Sequence, residues 1–143
     1  MPSPHMPAAP HVAAHALRRA RKLLFARLHG LFQQPEAAFV RGFAGVVAII
    51  EAELAHEEAV IEMLGLDCLQ ARRADNAFLL GALHAIETRV EAGDAELGRT
   101  AMAACADLLS LHRLTTDLAV AQARPLPGRA SRMRTSGRQH RPR

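Results

Sequence analysis

Four stretches of apolar residues at three-and-four spacing, joined by very short connections, set what this chain can fold into. From about His11 to Phe32 the apolar positions Leu17, Ala20, Leu24, Leu28 and Leu31 mark a helix with one buried face. Gln34, Pro35 and Glu36 then break and restart the chain, with proline at a first helical position and Glu36 complementing the helix dipole. The second helix is expected to run to about Leu64 and stop at Gly65, with Phe39, Phe43, Val46, Val47, Ile50, Leu54, Ile61 and Leu64 inside. A turn through Leu66, Asp67 and Cys68 leads to a third, whose stripe is Phe78, Leu79, Leu83, Ile86 and Val90 and whose end is Gly93. Asp94 suits the N-cap of a fourth helix, continuing through Leu97, Met102, Leu108, Leu109 and Leu111 to about Ala121. Long amphipathic helices on short connections become antiparallel neighbours. The expected fold class is all-α, an up-down-up-down antiparallel four-helix bundle over residues 12–122.

Composition agrees. A chain of 143 residues makes one domain able to bury a core without staples. Half of it is apolar, Trp and Tyr are absent, and Ala and Leu dominate, which favours helix over strand. Cys68 and Cys105 are too few for a disulfide framework and read as reduced packing residues. Residues 1–11 hold prolines and histidines without a basic stretch leading into an apolar one, so they read as a disordered segment rather than a secretory signal. No apolar run is long enough to span a bilayer, and the expected location is the cytoplasm.

Charge is segregated along the chain. From residue 124 onward stand Arg124, Arg129, Arg132, Arg134, Arg138, Arg141 and Arg143 with no acid. Removing those seven cations from the formal net charge of +4 leaves the preceding body at −3. The Arg, Ser, Gly and Pro of residues 123–143 cannot bury enough surface to offset ordering entropy, so a disordered basic tail is expected. Such a tail serves either as a solubilising end or as an attachment to nucleic acid, anionic lipid or an acidic partner. It has no aromatics on which single-stranded bases could stack.

Few residues carry chemistry. Glu53 and Glu57, four apart, share a helix face on which two carboxylates could hold a cation or simply meet solvent. His112 and Asp117, five apart, lie about 140° apart around an ideal helix, so only a broad inner face presents both. No G-x-S-x-G, phosphate-binding glycine loop, C-x-x-C or H-E-x-x-H occurs, and no enzyme is expected.

The stretch Glu51-Ala52-Glu53-Leu54-Ala55-His56-Glu57-Glu58 looks like an H-F-x-x-E-E motif, and Leu111-His112-Arg113-Leu114-Thr115-Thr116-Asp117 looks like H-x-x-x-x-D. Gly93-Asp94-Ala95-Glu96-Leu97-Gly98-Arg99 is similar to the turn and helix start of bacterial proteins that carry those motifs. On these segments the chain resembles the hemerythrin-like four-helix bundles from about Arg21 to Ala121. The resemblance implies a di-iron centre with Glu57, His112 and Asp117 as ligands. It also sets Glu53 where the family has a ligand histidine, Arg72 and Asn76 on the two histidines of H-x-x-x-H, and Arg21 on the first-helix histidine. Arginine cannot ligate a cation but matches carboxylates with its fork. The expectation is therefore a degenerate site without cofactor, its arginines standing in for the metal, in a non-catalytic sensory, regulatory or interaction module. The alternative is a mononuclear or atypical iron site, or one for Mn or Zn, formed by Glu53, Glu57, His112 and Asp117 and helped by His56 or His84, for sensing oxygen, peroxide or metal.

Overall fold

Punctuation residues fix where each helix begins and ends. In the computed structural model, which describes residues 10–123, the chain forms α1 (Pro10–Phe32), α2 (Glu36–Leu64), α3 (Leu69–Glu91) and α4 (Ala95–Ala123). Gly65 closes α2 in the left-handed conformation at φ 65°, and the N–H of Leu66 reaches back to the carbonyl of Ile61 at 3.2 Å. Gly93, at φ 112°, performs the same service after α3, where the N–H of Asp94 donates to the carbonyl of Arg89 at 3.0 Å. These backbone conformations favour glycine, and the backward bonds satisfy carbonyls that the helix leaves free. Asp94 then caps α4, its Oδ1 accepting from the N–H of Leu97 at 3.1 Å. Pro35 stands one position outside α2, as its N-cap, rather than at the first helical position.

The helices form an antiparallel four-helix bundle. Arg99 near the start of α4 donates to the carbonyls of Phe32 (3.0 Å) and Gln34 (2.7 Å) at the end of α1, and its guanidinium lies 4.4 Å from the centre of the Phe39 ring. It therefore ties three helices at one end. Helix α2 packs against all three others, α4 approaches it across the bundle, and no Cα of α1 lies within 8 Å of one in α3. No helix among the described residues is long and apolar enough to cross a membrane.

Buried positions recur at alternating steps of three and four, the seam of a coiled-coil-like bundle. On α2 they are Phe39, Phe43, Val46, Ile50, Glu53, Glu57 and Val60, with Val47, Leu54 and Ile61 buried beside them. On α3 they are Arg72, Asn76, Leu79, Leu83 and Val90, and on α4 Ala95, Gly98, Met102, Cys105, Leu109, His112 and Thr116. Phe78 and Leu111, expected inside, fall beside these seams and are 81% and 56% exposed. Ala20 is only half-buried, because Arg21 takes the seam position next to it. Pro10 and His11 are already helical, consistent with the preference for proline at helix starts, and Ala123 is the last residue of α4 rather than the first of a tail. The remainder of the expected disordered ends, residues 1–9 and 124–143, lies outside the described residues.

Close packing across the bundle generates a prediction. A Cβ at Gly98 would come 2.7 Å from the Phe39 ring and 3.2 Å from Val90, whereas one at Gly45 meets nothing within 4 Å. Gly98→Ala should lower unfolding free energy by about 1–3 kcal/mol through overpacking. Gly45→Ala should raise it by up to about 1 kcal/mol through helix propensity. Urea denaturation of both variants checks the pair.

Candidate functional site

Every helix contributes a polar side chain to one layer that interrupts the apolar seam. Toward one end the main core, from Leu24 and Ile50 to Leu83 and Leu109, is continuous. Toward the other a small cluster of Ala13, Leu17 and Val60 closes the bundle. Arg21, Glu53, Glu57, Arg72, Asn76, His112 and Thr116 are the buried polar residues of the seams.

Glu57 is the hub. Its side chain is 0% exposed, and each carboxylate oxygen faces a guanidinium from a different helix, Oε2 toward Arg21 of α1 and Oε1 toward Arg72 of α3. Arg21 also donates to the carbonyl of Leu109 at 3.2 Å and holds its Nε 3.6 Å from Glu53 Oε1. Arg72 donates to Thr116 Oγ1 at 2.9 Å and to Thr115 Oγ1 at 2.8 Å, and reaches the carbonyl of His112 at 3.3 Å. The Thr116 hydroxyl in turn donates to Glu57 Oε1 at 3.4 Å. Asn76, one turn along α3 from Arg72, is buried and donates to Glu58 Oε1 at 3.3 Å.

Burial dominates the electrostatics. It lowers the Arg21 pKa to about 10 against the opposing pull of Glu53, leaving the guanidinium charged at neutral pH. Burial also lowers the Arg72 pKa and raises that of Glu53, the latter opposed by Arg21 and His56. His112 is held down to about 4, first by burial and then by Arg72, with Asp75 opposing from 3.7 Å and Arg21 adding to the depression. Its imidazole is neutral over the physiological range.

The structure brings Arg21, Glu53, Glu57, Arg72, Asn76 and His112 to the interior. Asp117 is not among them. It is exposed on α4, because the seam steps from Leu109 to His112 and then four residues on to Thr116. Thr116, Thr115 and Asp75 were missed from sequence, and the register of α4 is the signal that identifies Thr116. His56, exposed, lies 4.0 Å from Glu53. His84, also exposed, pairs with Glu51 and Glu87 away from the layer. The tail arginines, from Arg124 to Arg143, lie outside the described residues.

The residues present do not fit the metal centre that the resemblance implies. Both oxygens of Glu57 face fixed positive charges, and Asp117 stands on the solvent side of α4. Among the described residues no group of three His, Cys, Asp or Glu side chains is placed to hold a metal ion. The arrangement instead does the work of charge neutralisation: one carboxylate spans two guanidiniums, a second carboxylate supports one of them, and threonine hydroxyls add hydrogen bonds on the Arg72 side.

Two predictions follow from the layer's physics. Arg72→Leu should cost about 3–5 kcal/mol by unbalancing buried charge, whereas the fourfold change Arg21→Met, Glu53→Gln, Glu57→Leu, Arg72→Met, which leaves no carboxylate of the layer unpaired, should be near neutral or stabilising by about 1–4 kcal/mol. Chemical denaturation distinguishes the two outcomes. The unfolded chain protonates His112 near pH 6.5 while the folded chain refuses the proton until about pH 4. The contribution of neutral His112 is thus fully present above pH 6.5 and declines as pH falls toward 4. It adds at most about 1.4 kcal/mol per pH unit to the slope of stability, and His112→Gln should remove that part of the slope in urea melts taken between these limits.

In comparisons with known proteins the chain matches no family model, no curated protein and no solved structure.

Proposed function

We propose that the protein is a hemerythrin-like bundle whose di-iron site has given way to an ion-pair layer, serving as a non-catalytic sensory, regulatory or interaction module without a cofactor. The observation that carries this reading is Glu57, which meets an arginine from α1 and another from α3 at two positions where the resembled family has histidine ligands. The carboxylate that the resemblance makes a metal ligand instead spans two guanidiniums. Arg21 and Arg72 supply the positive charge that a buried carboxylate requires, and they supply it permanently, without exchange or redox change. Asn76 at the second position of the H-x-x-x-H pair and Glu53 at the H-F-x-x-E-E histidine complete the departure. A scaffold so altered retains its shape and outer faces, and activity moves to what those faces bind.

Elemental analysis of the untagged protein, before and after anaerobic iron loading and with the visible spectrum recorded in air, tests the proposal. The expected result is a folded helical protein with no stoichiometric metal and no oxo-bridged iron absorption. A stoichiometric iron pair overturns it. A single bound metal, lost on replacing His112 or Glu57, establishes the mononuclear alternative instead.

A further inference from the structure

The outward face of α1 is rich in cations. His15, Arg18, Arg19 and Lys22 are exposed there, and with Arg113 of α4 they line a recess of about 310 Å³. Helix α1 contains no acidic residue, although the body of the chain carries a net negative charge. Arg18, Arg19, Lys22 and Arg113 form no ion pair with any described residue. An acid, Asp117, stands at the edge, beside Arg18 and Arg113 around a smaller cleft.

We infer that this recess and its cations dock the phosphate backbone of double-stranded nucleic acid without regard to sequence. Four features of the patch select that partner. First, a helix that lies in a membrane surface must immerse its apolar face, and that of α1 is already spent on the core through Leu17, Leu24 and Leu28. Second, single strands require aromatic platforms, whereas Phe25 and Phe32 pack against the core. Third, Arg18 and Lys22 stand one turn apart, about 6 Å along α1, and Arg113 is on a neighbouring helix. Charges so spread suit a polymer with a phosphate every ~1.7 Å of duplex axis better than a single small anion. Fourth, α4 ends at Ala123, ten residues beyond Arg113, and the seven arginines of residues 124–143 follow in sequence without an acid. The patch is thus continuous in sequence with a second source of phosphate contacts.

The test uses the full chain, a labelled random-sequence DNA duplex and anisotropy titrations over a range of salt. One variant combines Arg18→Gln, Arg19→Gln, Lys22→Gln and Arg113→Gln, and another replaces the seven tail arginines with Gln, with helix content checked by circular dichroism. The patch variant, its tail intact, should bind at least about tenfold more weakly at moderate salt, and its salt slope should shrink by about 3–4. The tail variant should keep that part of the slope. Should the fourfold variant lose helix, the exposed pair Arg19→Glu and Lys22→Glu supplies the same readout. Patch-variant binding equal to the parent's overturns the inference, as does an absence of salt-dependent binding by the parent. Preference for phosphatidylserine vesicles over the duplex overturns it as well, and assigns the surface to a membrane.

Discussion

The contact between Glu57 and its two arginines governs the rest of the interior. A carboxylate with no exposure cannot stay ionised in an apolar seam unless cations accompany it. Arg21 and Arg72 do so from different helices, and each is itself held by further groups: Arg21 by Glu53 and the Leu109 carbonyl, Arg72 by Thr115, Thr116 and the His112 carbonyl. Once these demands are met, the positions of α1, α2, α3 and α4 at this level are mutually fixed. A slip of any helix by one seam step would set a guanidinium or a carboxylate against leucine, valine or phenylalanine.

Apolar packing supplies cohesion and the charged layer supplies register. The seams above and below it consist mainly of Leu, Ile, Val, Ala and Phe, with Met102, Cys105 and Gly98 on α4, and apolar side chains that tolerate exchange among themselves specify alignment weakly. Fixed partners are less forgiving, as polar residues at seam positions of coiled coils illustrate. Neutral His112 belongs to the same economy, since a second proton there would add charge beside Arg72 and Arg21.

Much of the fold was legible because its signals are local. Gly65, Gly93 and Asp94 mark helix ends through backbone conformation and capping, and their effect needs no distant partner. Phe78 and Leu111 misled because hydrophobicity alone cannot distinguish a seam position from its neighbour, and the register emerges only when charged and small residues are counted in the stripe. The same cause explains the candidate site. Arg21, Arg72 and Asn76 could be placed inside by resemblance, but the choice of Thr116 over Asp117 depends on following 109, 112 and 116 as one seam. The bonds of Thr115 and Thr116 to Arg72 and the approach of Asp75 to His112 join residues far apart in sequence, and no local pattern announces them.

The bundle's cross-section has unequal diagonals, since α2 and α4 approach one another while α1 and α3 remain apart. Side-chain reach is matched to this rhombus. The longest polar side chains, Arg21 and Arg72, extend inward from the two ends of the long diagonal, while Glu57 and Thr116 meet across the short one. The guanidinium stems therefore fill width as well as carry charge, their methylenes lying where a slimmer residue would leave space open to water. Shape alone thus argues against a simple exchange of lysine, serine or histidine at these two positions: the distance from α1 or α3 to Glu57 is spanned by a flat, branched head on a long arm.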